Sequence, residues 1–319
     1  MSGRGSLVTR GRRACRHGWP AALEPTVRGR TVMTIRNPVE WGVDQFKHAA
    51  SAVESAGRVG RRTRDNLHSP PPAIRRIGVL DLREVLARGL DDFTAYRTDV
   101  IFLCVIYPLV GLLLARLAFG YDLLPLVFPL ASGFALVGPF AAVGLNEMSR
   151  RREAGLAVTW ADAFGVFRSP SFGAIVVLGL VLMAIFLLWL LAAEAIYEIT
   201  LGPAPPASLA GFVHDVLTTP AGWIMIALGV GVGFLFALLV LAISVVSFPL
   251  LLDREVGVDT AVLTSIRAVF MNPGPMAAWG LIVAGGLVIA SIPFFLGLII
   301  VMPMLGHATW HLYRRIVPR

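Results

Sequence analysis

The feature that most constrains this chain is a stretch from residue 268 to 306 that contains no charged side chain and is largely apolar. As a single α-helix it would extend about 58 Å, roughly twice the thickness of a bilayer's hydrocarbon core. Pro293 lies near its middle, and proline breaks helices because it lacks an N–H donor. We therefore predict two short membrane-spanning helices joined by a tight turn between Ile292 and Gly297.

Four earlier apolar stretches are also long enough to span a membrane: 100–119, 123–145, 172–193 and 221–252. The first two are separated by so few residues that they must form an antiparallel hairpin. The fourth is longer than a bilayer core requires, so it can tilt or bend at Pro249. The sequence thus predicts an all-α, polytopic membrane protein with six transmembrane helices arranged as three hairpins.

Basic residues are distributed unevenly along the chain. The net charge is +8, Lys47 is the only lysine, and 18 basic residues lie within residues 1–99. The others lie mostly in the 146–171 and 252–275 loops and in the C-terminal tail, whereas the opposite loops have none. This positive-inside pattern places both termini in the cytoplasm. Basic residues next to spans indicate contact with the membrane surface, so we expect no nucleic-acid partner.

The chain divides into three regions. Residues 1–32 are basic and lack the apolar core of a signal peptide, so we predict that they are disordered or lie upstream of a true start at Met33. Residues 33–75 predict a cytoplasmic amphipathic helix followed by a basic linker. Residues 76–319 form the predicted six-span membrane domain.

A threefold internal repeat is predicted within the membrane domain. Each unit has a short amphipathic cytoplasmic helix before its hairpin: DLREVLARGLDDF, VTWADAFGVF and VDTAVLTSIRAVF. The second span of each hairpin contains a proline, namely Pro139, Pro249 or Pro303. Units that all begin on one side of the membrane are related about the membrane normal, unlike the inverted repeats of many transporters.

No catalytic, cofactor-binding or metal-binding residue is predicted. Cys15 lies in the basic tail and Cys104 in an apolar stretch, so they predict neither a disulfide nor a zinc site. Phosphate-binding loops and the HExxH and GxSxG motifs are absent from the sequence. We expect no cofactor and no enzymatic activity.

Two histidines near the C-terminus, His307 and His311, lie four residues apart and share one helix face. They could bind a haem or a metal ion, but a closed metal site requires about four ligands. We instead interpret HATWHLYRR as an interfacial belt in which Trp310 and Tyr313 anchor the helix among lipid headgroups.

Other ionisable residues at the predicted ends of spans have two interpretations. Arg116 and Glu194 could form an outer vestibule or a coupled pair, or they could be side chains that reach to the interface. We favour the second interpretation. Asn146 and Glu147 are interpreted as part of a solvated loop that lies along the membrane.

Several segments resemble a bacterial family of predicted integral membrane proteins named domain of unknown function 2189. The resemblance is carried by RRIGVLDLREVLARGLDDF, FALVGPFAAVGLNEMSRRREAG, TTPAGW, NPGPM and GHATWHLYRR, and it extends from about Arg75 to the C-terminus. Family members are sometimes labelled as subunit I of cytochrome c oxidase. Such a core needs several intramembrane histidines for two haems and a copper ion, and this chain offers only His307 and His311. The resemblance implies the topology and a location in a bacterial inner (cytoplasmic) membrane, and it implies no mechanism.

The expected function is that of a non-enzymatic membrane scaffold or assembly factor, and the alternative is a transporter or channel for a small solute. Its expected partners are the lipid bilayer, other membrane proteins and a second copy of the chain. A water-filled cavity lined by Arg116, Glu194, Ser244 or Ser247 would favour transport, whereas a solid core would favour a scaffold.

Overall fold

A computed structural model describes residues 72–96, 109, 111–113, 116, 124–202, 204, 206 and 208–319. The predictions for residues 1–32, for both cysteines, for the amphipathic helix within 33–75 and for most of the first span lie outside these residues.

The described residues form α-helices joined by short connections and two 3₁₀ helices, Leu124–Leu126 and Trp160–Arg168. The α-helices, in chain order, are α1 (Asp81–Ala95), α2 (Val127–Ala141), α3 (Val143–Glu153), α4 (Phe172–Thr200), α5 (Leu209–Thr218), α6 (Pro220–Ser244), α7 (Ser247–Asp253), α8 (Val258–Met271), α9 (Pro273–Ser291) and α10 (Leu298–Ile316).

Four helical segments among the described residues are long and apolar enough to cross a membrane: Val127–Glu153, Phe172–Thr200, Pro220–Asp253 and Pro273–Ser291. They coincide with the second to fifth predicted spans. The sixth predicted span coincides with α10, which is not among these four. The predicted bend in the fourth span lies between α6 and α7, about one turn before Pro249, where a proline removes a helical hydrogen bond.

The uncharged stretch from 268 to 306 is interrupted where its sequence predicts. Helix α9 ends at Ser291 and α10 begins at Leu298. Between them, Phe294 and Phe295 adopt φ angles of 50° and 65°, in the left-handed region that side chains other than glycine rarely occupy. The chain therefore reverses direction sharply after Pro293.

Helices α9 and α10 then pack side by side as an antiparallel pair. A Cβ added at Gly297 would lie 2.6 Å from the Ala290 Cα, so only glycine permits this approach. One turn further from the reversal, a Cβ at Gly286 would lie 3.2 Å from a Val301 methyl group. Both pairs have the same register, as an antiparallel hairpin requires.

The three amphipathic segments pack in a cyclic order. Helix α1 packs on α10, the 3₁₀ helix Trp160–Arg168 on α3, and α8 on α6 and α7. Each amphipathic segment thus contacts a proline-bearing helix, or its continuation, from another predicted unit. Helices α3, α7 and α10 also contact one another. Three repeated units related about one axis would produce this order.

Helix α5 lies in the connection between the third and fourth spans, for which the sequence predicts a loop. The Ser208 hydroxyl caps it by accepting a hydrogen bond from the Gly211 N–H at 3.1 Å. Thr219 caps α6 in the same way through the Gly222 N–H at 3.0 Å, and Pro220 occupies the first turn of that helix. A serine before α5 and a Thr-Pro pair before α6 are recognised signals for the start of a helix. These signals in the sequence could have revealed α5.

Candidate functional site

Three buried polar side chains meet where α1, α3 and α10 converge. Asp92 of α1 is 4% exposed, Ser149 of α3 is 1% exposed and His307 of α10 is fully buried. Asp92 lies on the same face of α1 as buried Leu82 and Val85, so docking of that apolar stripe carries the carboxylate into the interior. We call Asp92, Ser149, Arg152, His307 and His311 the Asp92 network.

The hydrogen bonds of the Asp92 network all run towards one carboxylate. The Ser149 hydroxyl donates to Asp92 Oδ2 at 2.5 Å. Because a serine has only one hydroxyl proton, His307 Nδ1, at 2.8 Å, must donate to Ser149 Oγ. His311 Nε2 lies 2.9 Å from Asp92 Oδ2, and Arg152 Nη1 donates to Asp92 Oδ1 at 2.5 Å. The carboxylate is thus surrounded by donors.

The charge state of Asp92 follows from this arrangement. Burial by itself raises the pKa of Asp92, but hydrogen bonds from His311 and Ser149 outweigh burial and lower this pKa below its usual value. Asp92 is therefore an anion at neutral pH, and the Arg152 guanidinium compensates its charge. A buried anion is tolerated in proteins when it is paired and hydrogen-bonded in this way.

Some hydrogen-bonding capacity next to the network is unused. Among the described residues, the buried side-chain atoms without a partner are both amide atoms of Asn146 and Nε2 of His307. Asn146 lies about one turn before Ser149 on α3, on the face that packs against Gly306 of α10 through Ala142. These three atoms are exceptions to the rule that buried polar groups in proteins are hydrogen-bonded.

A second set of contacts ties the end of α10 to α3 and α7. Glu153 accepts hydrogen bonds from Trp310 Nε1 at 2.9 Å and from Arg314 Nε at 3.2 Å. Asp253 accepts from the Tyr313 hydroxyl at 2.7 Å and from Arg314 Nη1 at 3.2 Å. The C-terminal half of α10 is therefore a hub on which three other helices converge.

The interpretation of HATWHLYRR as a belt at the lipid headgroups is wrong. His307, Trp310 and Tyr313 are buried within the protein, and His311 contacts Asp92. Helix α1 covers this face of α10, so closely that a Cβ on Gly89 would lie 2.6 Å from the Ala308 Cβ. This packing joins segments that are more than 200 residues apart in the sequence.

The interpretation of Asn146 and Glu147 as part of a solvated loop is also wrong. Both belong to α3 and are buried. Glu147 is held by ion pairs with Arg150 at 2.7 Å and Arg151 at 2.9 Å. The charge of Glu147 is thus compensated within α3, and this helix continues beyond the end of the apolar stretch.

The other residues singled out from the sequence do not form a joint site. Arg116 is exposed and Glu194 is half-buried, and no described contact joins them. Ser244 and Ser247 are buried, but each hydroxyl donates at 2.6 Å to the backbone carbonyl four residues earlier in the chain. Neither serine has its hydroxyl proton free for a solute.

A cavity of about 540 Å³ lies between α2, α6, α8, α9 and α10. Its lining is largely apolar, and Ser244 and Thr309 contribute the hydroxyl groups. Thr309 also donates to a carbonyl of its own helix, at 2.7 Å. Such a cavity suits an apolar group better than water.

Within the described ranges, no group of three or more His, Cys, Asp or Glu side chains is arranged to hold a metal ion. His307 and His311 are instead engaged with Ser149 and Asp92. That the protein binds no haem or metal stays a prediction.

Comparison with known proteins adds one result. No curated protein and no solved structure matches the chain. One family model does match part of the chain. It covers α2 to α7, and therefore Ser149 and Arg152 of the Asp92 network, but neither α1 nor α10. Residues 127–253 match the family described as predicted integral membrane protein (DUF2189), which confirms the family resemblance over that segment.

Proposed function

We propose that this integral membrane protein is a non-enzymatic scaffold or assembly factor. The observation that carries the proposal is that, in the part of the chain that the structure describes, the carboxylates where α1, α3, α7 and α10 meet bind neighbouring helices of the same chain. Asp92 joins α1 to α3 and α10, while Glu153 and Asp253 join α3 and α7 to α10. Groups engaged in this way stabilise one arrangement of helices, as a scaffold requires.

Enzymatic activity is disfavoured by the order of groups in the Asp92 network. Serine, histidine and aspartate form nucleophilic triads when the histidine lies between the other two and takes the serine proton. Here Ser149 lies between Asp92 and His307 and donates directly to the carboxylate. The burial of Ser149 and His307 also leaves a substrate no access to either side chain.

Transport of a small apolar solute is the second candidate, and the 540 Å³ cavity favours it. A polar solute would find few partners there, because the Ser244 and Thr309 hydroxyls already donate within their helices. Loss of hydration without new hydrogen bonds costs several kcal/mol, roughly 2–7 per polar group. The cavity therefore restricts this alternative to apolar cargo.

The two candidates are distinguished by purifying the full chain in discs of native membrane and by measuring solute flux in reconstituted vesicles. A scaffold predicts a complex of fixed stoichiometry with another membrane protein, and flux no greater than in empty vesicles. Asp92→Ala should weaken the complex because it loosens α1, whereas Arg267→Gln, at an exposed arginine, should not.

Flux above that of empty vesicles would contradict the scaffold proposal if Ala277→Phe abolished it. Ala277 lines the cavity, so a phenylalanine there would fill part of the space without touching the Asp92 network. A protein that purifies without a stoichiometric partner and shows such flux would be a transporter.

A further inference from the structure

A second cavity, of about 350 Å³, lies where three candidate spans end. The C-terminal turns of α3, the residues just before α4 and the residues at the end of α7 line it. Four arginines contribute to its lining: Arg150, Arg151, Arg168 and Arg254. We call this cavity the arginine pocket. Three carboxylates, Glu147, Asp253 and Glu255, also line the cavity, so positive charges exceed negative ones by one.

Two arginines of the pocket are fixed in place by carboxylates. Arg150 donates two hydrogen bonds to Glu147, at 2.7 and 2.8 Å. Arg151 donates to Glu147 at 2.9 Å and to Asp162 at 2.6 Å. A guanidinium has five N–H donors, so each side chain keeps donors for a further acceptor while its orientation is held.

Arg168 differs from the other arginines of the pocket. Its side chain is exposed and makes no hydrogen bond or ion pair with another described residue. Arg254, by contrast, donates to the Pro318 carbonyl at 2.6 Å. A charged side chain that lines a cavity without a protein partner is available to an anion.

The start of α4 adds a further source of positive potential. Ser169 and Ser171 line the cavity just before this helix, which extends from Phe172 to Thr200. Ser171 is the N-cap residue and its side chain makes no capping hydrogen bond. The first N–H groups of a helix carry partial positive charge and bind phosphate in many proteins.

The depth of the pocket indicates the source of the anion. Because candidate spans end around it, the pocket lies at the level where a bilayer changes from hydrocarbon to headgroups. Trp160 and Phe167 are exposed on the 3₁₀ helix that ends at Arg168, and aromatic side chains are enriched at this level. Basic pockets between spans bind the headgroups of anionic lipids.

We propose that the arginine pocket binds the phosphate group of an anionic phospholipid. Arg168 supplies the unpaired charge, Arg150 and Arg151 supply oriented donors, and the nearby N-terminus of α4 adds positive potential. The bound lipid would lie between α3, α4 and α7. The site is distinct from the Asp92 network and does not depend on the scaffold function.

The test is native mass spectrometry of the detergent-purified full chain, titrated with phosphatidylglycerol or with phosphatidylcholine. We expect tighter binding of phosphatidylglycerol, weakened about fivefold in Arg168→Gln, because one interfacial arginine contributes about 1 kcal/mol. Arg168→Lys keeps the charge and should retain most of the binding. Arg267→Gln is the matched control, since Arg267 is also exposed but lies outside the pocket.

Equal binding of the two lipids, or unchanged phosphatidylglycerol binding in Arg168→Gln, would overturn the proposal. Thermal unfolding of each variant shows whether its fold is retained, and the exposed position of Arg168 predicts that it is. A final arm adds inorganic phosphate. If phosphate alone binds in an Arg168-dependent manner and phosphatidylglycerol does not, the pocket serves a soluble phosphate and the lipid proposal is wrong.

Discussion

Replacing Gly89 by alanine tests the docking of α1 on α10. The added Cβ would lie 2.6 Å from the Ala308 Cβ and 2.7 Å from the Ala308 backbone nitrogen. Because part of the obstacle is backbone, the clash cannot be relieved by rotating a side chain, and α1 must move away. Asp92, about one turn further along α1, would move with it and lose hydrogen-bond geometry to Ser149 and His311.

The expected loss of unfolding free energy can be estimated from its parts. Alanine in a helix is favoured over glycine by about 1 kcal/mol. Overpacking a close contact costs about 1–3 kcal/mol, and a weakened hydrogen bond to a charged group about 1.5–3 kcal/mol. We therefore expect Gly89→Ala to destabilise the protein by about 1.5–5 kcal/mol.

The assay is thermal unfolding of the purified protein in detergent, together with hydrogen exchange of the α1 amides. Gly285→Ala on α9 is the matched control, because no heavy atom lies within 4 Å of its added Cβ. The control should leave stability unchanged or slightly raised. If Gly89→Ala is as stable as Gly285→Ala and its α1 amides exchange no faster, the inferred docking of α1 is refuted.

Two further predictions concern Asp92 and the reversal between α9 and α10. Because the pKa of Asp92 is lowered in the folded protein, the ionised carboxylate contributes stability above its unfolded pKa of about 3.9, and this contribution is lost as pH falls through the folded value. The protection factors of the α1 amides, from which the pH dependence of the intrinsic exchange rate has been removed, should therefore fall on acidification below about pH 4. Asp92→Asn should flatten this dependence; an unchanged profile in the variant would count against it. Phe294 is 78% exposed and has a φ angle of 50°. Phe294→Gly should therefore raise the unfolding free energy by about 1 kcal/mol, measured by thermal unfolding. A lower stability would show that the phenylalanine ring contributes more than the backbone strain costs.

The spans could be predicted from sequence because they depend on local properties. Length and hydropathy give the first residues of α4 and α6 to within one position, and Pro293 gives the break before α10. Proline acts within its own helix turn, so its effect does not depend on distant parts of the chain.

The Asp92 network could not be predicted because it depends on contacts between distant segments. Asp92 and His311 are 219 residues apart in sequence. One signal was present: Gly89 and Asp92 lie on the same face of α1 as Leu82 and Val85, and a glycine and an acid within an apolar stripe indicate close packing against a polar partner.

The histidines were misinterpreted for a related reason. A segment that contains tryptophan, tyrosine, histidine and arginine has the composition of a headgroup belt, yet the same residues also suit a buried hub. The Trp310 indole N–H has an acceptor in Glu153, and the Tyr313 hydroxyl has one in Asp253. Composition alone does not identify those acceptors, since they lie on α3 and α7.

The central claim is that α9 and α10 form a membrane hairpin with its reversal on the side opposite the C-terminal hub. Cysteine labelling with a membrane-impermeant thiol reagent tests it, in a variant in which Cys15 and Cys104 are replaced by serine. Phe294 and Arg319 are suitable positions because both are exposed, whereas Val317 is fully buried. Phe294→Cys should be labelled on intact cells from which the outer membrane has been removed, and Arg319→Cys only after the inner membrane is permeabilised. Labelling of both positions from the same side would contradict the hairpin.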